Sequence, residues 1–308
     1  MVMSAGSYAD LLEPGLRVWF FEELGMPDPV MDSLFGVTTS TKFAEHYQGM
    51  GAIGLVPPWQ GTMPYEDFDA GYRTDIRNYQ FAKGMQVERE LVDDDQYNVI
   101  EQRARNLGLA FRNTVEVDGA NVFINGFTDS GTNRMGASTN GADGVALLST
   151  AHKESPVNAG TQSNEGTLAL NLPNLDTTRQ NMRNFTDDKG ELLGVNPDVL
   201  LVPSELERTA TQIISERALY EPGSAQFDVN MFAGRLRPVV WNRLTDANAW
   251  FLIDSAKMRQ MLKFQWRIRP EFNQERNNID NMHSKFTGYM RYGIGWTDWR
   301  WIFGQNPS

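Results

Sequence analysis

The most constraining feature of this chain is an apolar stripe between residues 94 and 127. Ile100, Ala104, Leu107, Phe111, Val115, Asp118 and Val122 recur at spacings of three and four, which puts them on one face of an α-helix. Asp93, Asp94 and Asp95 stand just ahead of it. Carboxylates there accept from the free first-turn amides and complement the positive end of the helix dipole. The spacing predicts a helix over 94–127, long by globular standards, with Ile100, Leu107, Phe111 and Val115 in its core-facing edge. Gly108 and Gly119 each weaken it by about 1 kcal/mol relative to alanine.

The pattern on either side is different. Residues 1–56 show no compact pattern, although Ser7 to Leu12 and Gly15 to Leu24 suit short helices. The adjacent Trp19, Phe20 and Phe21 cannot share one helix face, so at least one needs an apolar partner elsewhere, another chain being one source. The segment reads as an arm. Pro57-Pro58-Trp59 then stops any helix, and a polar stretch runs from Gly61 to Gly71. Tyr72, Thr74 and Ile76 alternate with Arg73, Asp75 and Arg77, followed by Tyr79, Phe81, Met85 and Val87. Period-two patterning predicts extended strands, and 57–92 is expected to be a long hairpin standing away from the core.

Further along, residues 128–144 read as a loop. Asn171 or Asn174 caps a predicted helix reaching Phe185, and Val199 to Val202 reads as a buried strand. Ser204 with Glu207 predicts a capping box opening a helix to about Tyr220. Leu236 to Trp241 and Trp250 to Ile253 read as strands. From Tyr289 to Gly304 glycines alternate with aromatic residues.

Motifs for chemistry are scarce. There is no cysteine, and the three histidines, His46, His152 and His283, lie far apart, so neither a thiolate nor a zinc site is expected. No phosphate-binding glycine loop or nucleophile elbow occurs. Asp93 to Asp95 lack the alternating ligands and glycine turn of a calcium loop. The basic stretch Lys257, Arg259, Lys263, Arg267 and Arg269, interleaved with Met261, Leu262, Phe264 and Trp266, fits one apolar and one solvated face better than a nucleic-acid surface. A formal charge of −11 also speaks against a dedicated nucleic-acid binder. No apolar run reaches the roughly 18 residues of a membrane span. These readings predict no catalytic group, no cofactor and no metal: a structural protein folded in a cytoplasm, not an enzyme.

Four segments carry a resemblance: Asp143-Gly144-Val145-Ala146-Leu147-Leu148-Ser149-Thr150-Ala151-His152, Pro197-Asp198-Val199-Leu200-Leu201-Val202-Pro203, Leu244-Thr245-Asp246-Ala247-Asn248-Ala249-Trp250-Phe251-Leu252-Ile253-Asp254, and Arg291-Tyr292-Gly293-Ile294-Gly295-Trp296-Thr297-Asp298-Trp299-Arg300. In this order they resemble the major head subunits of Mu-like phages, which are similar to the tailed-phage shell proteins of the Hong Kong 97 fold. The resemblance implies an α+β fold with an N-terminal arm (1–56), an extended loop lying over a neighbour (57–92), and a peripheral domain (93–189) carrying the spine helix (94–127). An axial domain (190–262) and a return to the peripheral domain with a C-terminal segment (263–308) complete it. It implies self-assembly through hexamers and pentamers into an icosahedral virion shell around double-stranded DNA, without sequence-specific DNA contacts and without a membrane. Assembly would take place in the host cytoplasm. A portal and decoration proteins are the implied partners; with no charged scaffolding segment ahead of the arm, assembly is expected to use a separate scaffold protein or none. The resemblance also implies contacts between chains at Trp19, Phe20, Phe21, Trp59, Tyr72, Ile76, Tyr79 and Lys83. Lys83 lies in the region of the loop where the family's best-known cross-link uses a lysine, but lysines are common in loops and no cross-link is expected from it. An encapsulin-like compartment shell and another phage component, a tube or connector, are the alternatives.

Overall fold

The computed structural model describes residues 5–25, 29–67, 69–88, 99–158, 160–215, 218–219, 228–230, 232–275 and 283–307. The stripe forms a helix over Val99–Ile124, continued by one 3-10 turn over Asn125–Phe127. Asp93 to Asp95, expected as its cap, lie outside the described residues. Ile100, Ala104, Leu107, Phe111 and Val115 are all buried.

The helices are α1 (Ala5–Leu24), α2 (Pro29–Leu34), α3 (Val99–Ile124), α4 (Leu172–Arg183), α5 (Glu207–Ser215) and α6 (Ser255–Met261). The strands are β1 (Gly36–Thr39), β2 (Ala44–Met50), β3 (Ala70–Arg77), β4 (Tyr79–Glu88), β5 (His152–Lys153), β6 (Thr161–Gln162), β7 (Glu165–Gly166), β8 (Val199–Val202), β9 (Ala218–Leu219), β10 (Asp228–Val229), β11 (Arg237–Val240), β12 (Trp250–Ile253), β13 (Leu262–Glu275), β14 (His283–Trp296) and β15 (Ile302–Gln305). Two sheets dominate. One is four-stranded in the order β1-β13-β14-β4, the other five-stranded in the order β11-β8-β12-β15-β7.

The long β13–β14 ladder is antiparallel, with Phe264 opposite Ile294 and Phe272 opposite Gly288. Side chains alternate between its two faces. Phe264, Phe272, Phe286, Met290 and Tyr292 are buried on the face that α3 covers. Here the arm departs from expectation: α1 is one helix that continues through Pro14 and packs along α3. Phe20 is fully buried, with ring centroids 5.6 Å from Phe111 and 5.2 Å from Phe272. Arg105 of α3 ties the two helices further, 2.8 Å from Glu22 and 3.4 Å from Glu23. Phe20 of the arm and Phe111 of the spine stripe therefore satisfy each other within one chain, while Val18 and Phe21 of α1 stay exposed.

The far end of α3 joins the two sheets. Phe123 meets Phe35, Trp241, Phe251 and Trp301 edge-on at centroid distances of 6.4, 5.8, 5.6 and 6.2 Å. Aromatic pairs of this kind add about 0.5–1.5 kcal/mol each beyond area burial. In the second sheet every residue of β8, β12 and β15 is buried, and β8 and β12 read as unbroken apolar runs. Two strands from outside the expected 190–262 segment, β7 and β15, belong to this sheet. The C-terminal segment thus returns to the first sheet through β13 and β14 and ends in the second through β15.

Asn171 caps α4 by accepting from Asn174 N at 2.8 Å. The expected capping box at Ser204 does not form. Residues Ser204–Leu206 make a 3-10 turn without a side-chain cap, and the Ser204 hydroxyl donates to Asn242 Oδ1 at 3.1 Å. The helix that follows ends at Ser215.

Gly108 provides a sharp test of the α1–α3 packing. Alanine normally gains about 1 kcal/mol over glycine inside a helix, yet a Cβ here would sit 2.4 Å from the Phe20 carbonyl oxygen. Gly108→Ala is expected to destabilise the subunit by about 1–3 kcal/mol in urea denaturation; a stabilised variant would contradict the packing. Phe111→Ala is expected to cost about 3–5 kcal/mol in the same assay.

Candidate assembly surface

The segment expected as a hairpin over 57–92 is divided differently. β4 pairs along its length with β14, from Glu88 opposite His283 to Tyr79 opposite Tyr292, and so belongs to the sheet. β3 instead pairs with β2, Ala44 opposite Arg77 and Met50 opposite Ala70. The projecting hairpin is therefore 44–77, with a long connection between its strands. The reason is the pattern itself: Phe81, Met85 and Val87 have the apolar face needed against α3, whereas β2 carries only Tyr47 as a large half-buried residue.

The base of the hairpin rests on the face of the β13–β14 ladder opposite α3. Gln265 is fully buried; its Nε2 donates to Ile76 O at 2.9 Å and to Asn78 Oδ1 at 3.1 Å. Tyr47 Oη donates to Gln265 Oε1 at 3.2 Å. Asn78, also buried, donates through Nδ2 to Ser40 Oγ and Lys42 O, both at 2.9 Å. The two amides thus hold both strand ends of the hairpin. Gly293 and Gly295 make room: a Cβ on Gly293 would lie 2.6 Å from Arg77 O, and one on Gly295 would lie 2.9 Å from the Ile76 side chain. From Tyr292 to Gly295 the sequence records this two-faced strand, with Tyr292 bonded to Asp118 of α3 and Gly293 and Gly295 under the hairpin; farther along, Gly288 instead lies on the α3 face against Phe111. Farther out, Asp75 binds His46 at 2.5 Å and Arg73 at 3.0 Å. The hydrogen bond from His46, then that from Arg73, holds the Asp75 carboxyl below its usual range.

The connection carries an unusual surface. Ile53, Leu55, Val56, Trp59, Met63 and Tyr65 are all exposed, Val56 at 92%, Trp59 at 69% and Tyr65 at 93%. Six large apolar side chains in one segment mark an interaction surface, since isolated subunits gain nothing by exposing them together. Of the expected contact residues, Trp59 lies in this segment. Phe21 is 37% exposed on α1, and Trp19 is half-buried against the core. Tyr72 is half-buried beside a groove of about 250 Å³ between the hairpin base and the Trp296–Arg300 segment. Tyr79 and Lys83 sit on β4, within the sheet. Phe20 and Ile76 are corrections: both are buried inside their own subunit, at 0% and 3% exposure, because α3 and the Gly295 shelf supply partners the sequence did not reveal. Ile53, Leu55, Val56, Met63 and Tyr65 were missed. For Ile53, Leu55 and Val56 the signal was an apolar run, Ile53-Gly54-Leu55-Val56, ending at Pro57-Pro58 with no alternation to place it against a core; Met63 and Tyr65 lie beyond the prolines in a polar stretch that carries no such signal.

Polar groups elsewhere serve the framework. Asp118 on α3 is bound by Arg134 through Nε at 3.0 Å and Nη2 at 3.1 Å, and accepts from Tyr292 Oη at 2.5 Å. Burial pushes the Asp118 carboxyl up, against the lowering pull of Tyr292 and Arg134. Burial and the Asp118 charge push the Tyr292 hydroxyl up as well. His152 is fully buried, stacked 4.4 Å from Trp299, and bound to Asp143 at 2.6 Å and to Leu147 O at 3.2 Å. Both of its ring nitrogens are thereby engaged. Trp296, Trp299 and Trp301 are buried in the core. Among the described residues no group of three or more His, Asp and Glu side chains can hold a metal ion, and no helix is long and apolar enough to cross a membrane.

A two-sheet body spanned by one long helix, with a hairpin projecting ahead of that helix, defines the Hong Kong 97 class of shell subunits. The phage capsid protein family matches residues 71–304, and the chain belongs to that family. Solved structures share the fold at low identity. The bacteriophage PhiM1 mature capsid aligns with a TM-score of 0.60 at 12% identity, covering 92% of this chain and 88% of that one. The bacteriophage JBD30 procapsid aligns with a TM-score of 0.52 at 15% identity, covering 97% and 75%. A virus-like particle from Pyrococcus furiosus aligns with a TM-score of 0.55 at 10% identity, covering 95% and 98%. No curated protein sequence matches. The chain is a capsid shell protein.

Gln265→Leu keeps volume but strands the Ile76 carbonyl and the Asn78 amide. It is expected to cost about 1–3 kcal/mol in urea denaturation and to speed hydrogen exchange in β2 and β3 while leaving β12 and β15 protected. Unchanged exchange in the hairpin would show that the amide pair does not anchor it.

Proposed function

We propose that the chain is a major head subunit of the Mu-like kind, and that it builds a closed shell of hexamers and pentamers in which the 53–65 segment lies over an adjacent copy. The observation that carries this reading is the exposed apolar segment on a hairpin that is itself firmly seated on the sheet. Such a segment contributes little to its own subunit's core, and burial against a neighbour returns roughly 25 cal/mol per Å² of apolar surface. Obligate interfaces commonly bury about 2,000 Å² or more, and several such contacts per subunit reinforce one another once a ring has closed.

In this reading the arm is α1 with α2, the extended hairpin is 44–77, and the peripheral domain is the first sheet with α3. The axial domain is the second sheet with α4 and α5, meeting its copies at the ring centres. Phe21, Trp59, Tyr72 and the 53–65 apolar side chains carry the contacts between subunits. The shell encloses double-stranded DNA held by packing pressure and not by base contacts, consistent with a net charge of −11. Assembly in the host cytoplasm with a separate scaffold, a portal and decoration proteins completes the proposal.

Replacing residues 53–65 by a Gly/Ser linker tests it. The subunit is expected to keep a cooperative thermal melt within a few degrees of the parent, since the segment adds little to the core. Sedimentation is expected to show shells lost or reduced to small oligomers. Normal shells from this variant would refute the assignment of the segment, and a subunit that no longer folds would place the segment in the core.

A further inference from the structure

We propose that the turn at 187–190 is a latch that holds the 53–65 segment of its own subunit in one orientation, presenting the apolar side chains outward before any neighbour arrives. The turn is rigid by its own bonds. Asp187 Oδ1 accepts from Lys189 N and Glu191 N, both at 2.9 Å, and Gly190 takes a φ of +86°. Asn158 Nδ2 adds a bond to Asp188 O at 3.2 Å.

Both ends of the segment are tied to this turn. At the entry, Ala52 N donates to Asp188 Oδ1 at 2.9 Å. At the exit, Lys189 Nζ lies 3.0 Å from Glu66 Oε1 and 3.6 Å from Asp69 Oδ2. The two ends also clasp each other: Gly51 N donates to Asp69 O at 2.8 Å and Gly54 N to Glu66 Oε2 at 3.1 Å. The Lys189 hydrogen bond and then the Gly54 amide hold the Glu66 carboxyl below its usual range. Every tie is polar and at the ends, while Leu55, Val56, Trp59 and Tyr65 between them remain exposed. A contact that masked the surface would bury those side chains. This one fixes the segment's two feet and leaves its apolar part free, which lowers the ordering cost of a later contact.

The ties are half-exposed ion pairs and single hydrogen bonds, so each shifts the equilibrium only modestly and salt weakens the pairs. The assembly consequence rests on the proposed function; the latch itself does not, and the two are measured separately. In the unassembled full-length subunit, Lys189→Glu and Asp188→Ala are each expected to raise hydrogen exchange at the Ala52 amide about fivefold or more, with the melt unchanged. The triple variant Lys189→Glu, Glu66→Lys, Asp69→Lys restores the ion pairs but not the Gly54 N–Glu66 hydrogen bond, and is expected to recover part of the Ala52 protection. Parent-like exchange in both single variants would overturn the latch. With exchange raised, slower assembly or a higher critical concentration, read by light scattering, supports preorganisation. Assembly as fast as the parent's would overturn preorganisation, and faster assembly would show that the turn restrains the segment instead. If the parent forms no shells while exchange responds as expected, the latch stands and the shell reading fails.

Discussion

The antiparallel ladder between β13 and β14 is the interaction on which the rest depends. Each strand has 14 residues, and the pair has two working faces. Its aromatic face receives α3, and through Phe272 it reaches Phe20 of α1. Its glycine face receives the base of the hairpin. β1 and β4 extend the ladder at its two edges, and α6 and β15 link its ends to the second sheet. A one-residue slip would put Tyr292 under the hairpin and Gly293 against α3, exchanging every contact on both faces at once. Register is thus fixed by two opposed demands, volume on one side and its absence on the other.

Buried polar groups in this framework direct the backbone or tie elements together. Gln265 and Asn78 are buried, yet between them they bind the carbonyls of Ile76 and Lys42 and the hydroxyl of Ser40. An apolar pair of the same size would remove these bonds, and each buried group left without a partner would cost about 1–3 kcal/mol; Ser40 would keep its bond to Glu45. Asp118 plays a similar part on α3, joining the Arg134 loop and Tyr292 of β14 to one carboxylate. The hairpin can therefore project far from the core without being loosely held, which is the property a segment needs if its contacts form between subunits.

Much of the framework was legible in the sequence because it obeys local periodicities. The three-four stripe located α3, and the unbroken apolar runs located β8 and β12. The limits are equally physical. Phe20 looked unpartnered because its partners, Phe111 and Phe272, lie far away in sequence. The alternation over Tyr72 to Val87 announced strands but not their pairing, so two strands of different sheets read as one hairpin. Ile76 suffered for the same reason, since only the Gly295 shelf makes it a core residue. The Ser204 signal was real chemistry used differently, with the hydroxyl directed to Asn242. The exposure of Ile53, Leu55, Val56 and Trp59 was not legible, because the run around Pro57-Pro58 carries no period that would mark one face as buried and the other as open.

The most direct test of the account is an image reconstruction of the particles that the purified chain forms, alone or with its scaffold. The expected result is a closed shell of hexamers and pentamers in which density for residues 53–65 crosses onto an adjacent subunit while β4 stays in its own sheet. Tubes or open rings, or a shell in which 53–65 touches only its own subunit, would contradict it.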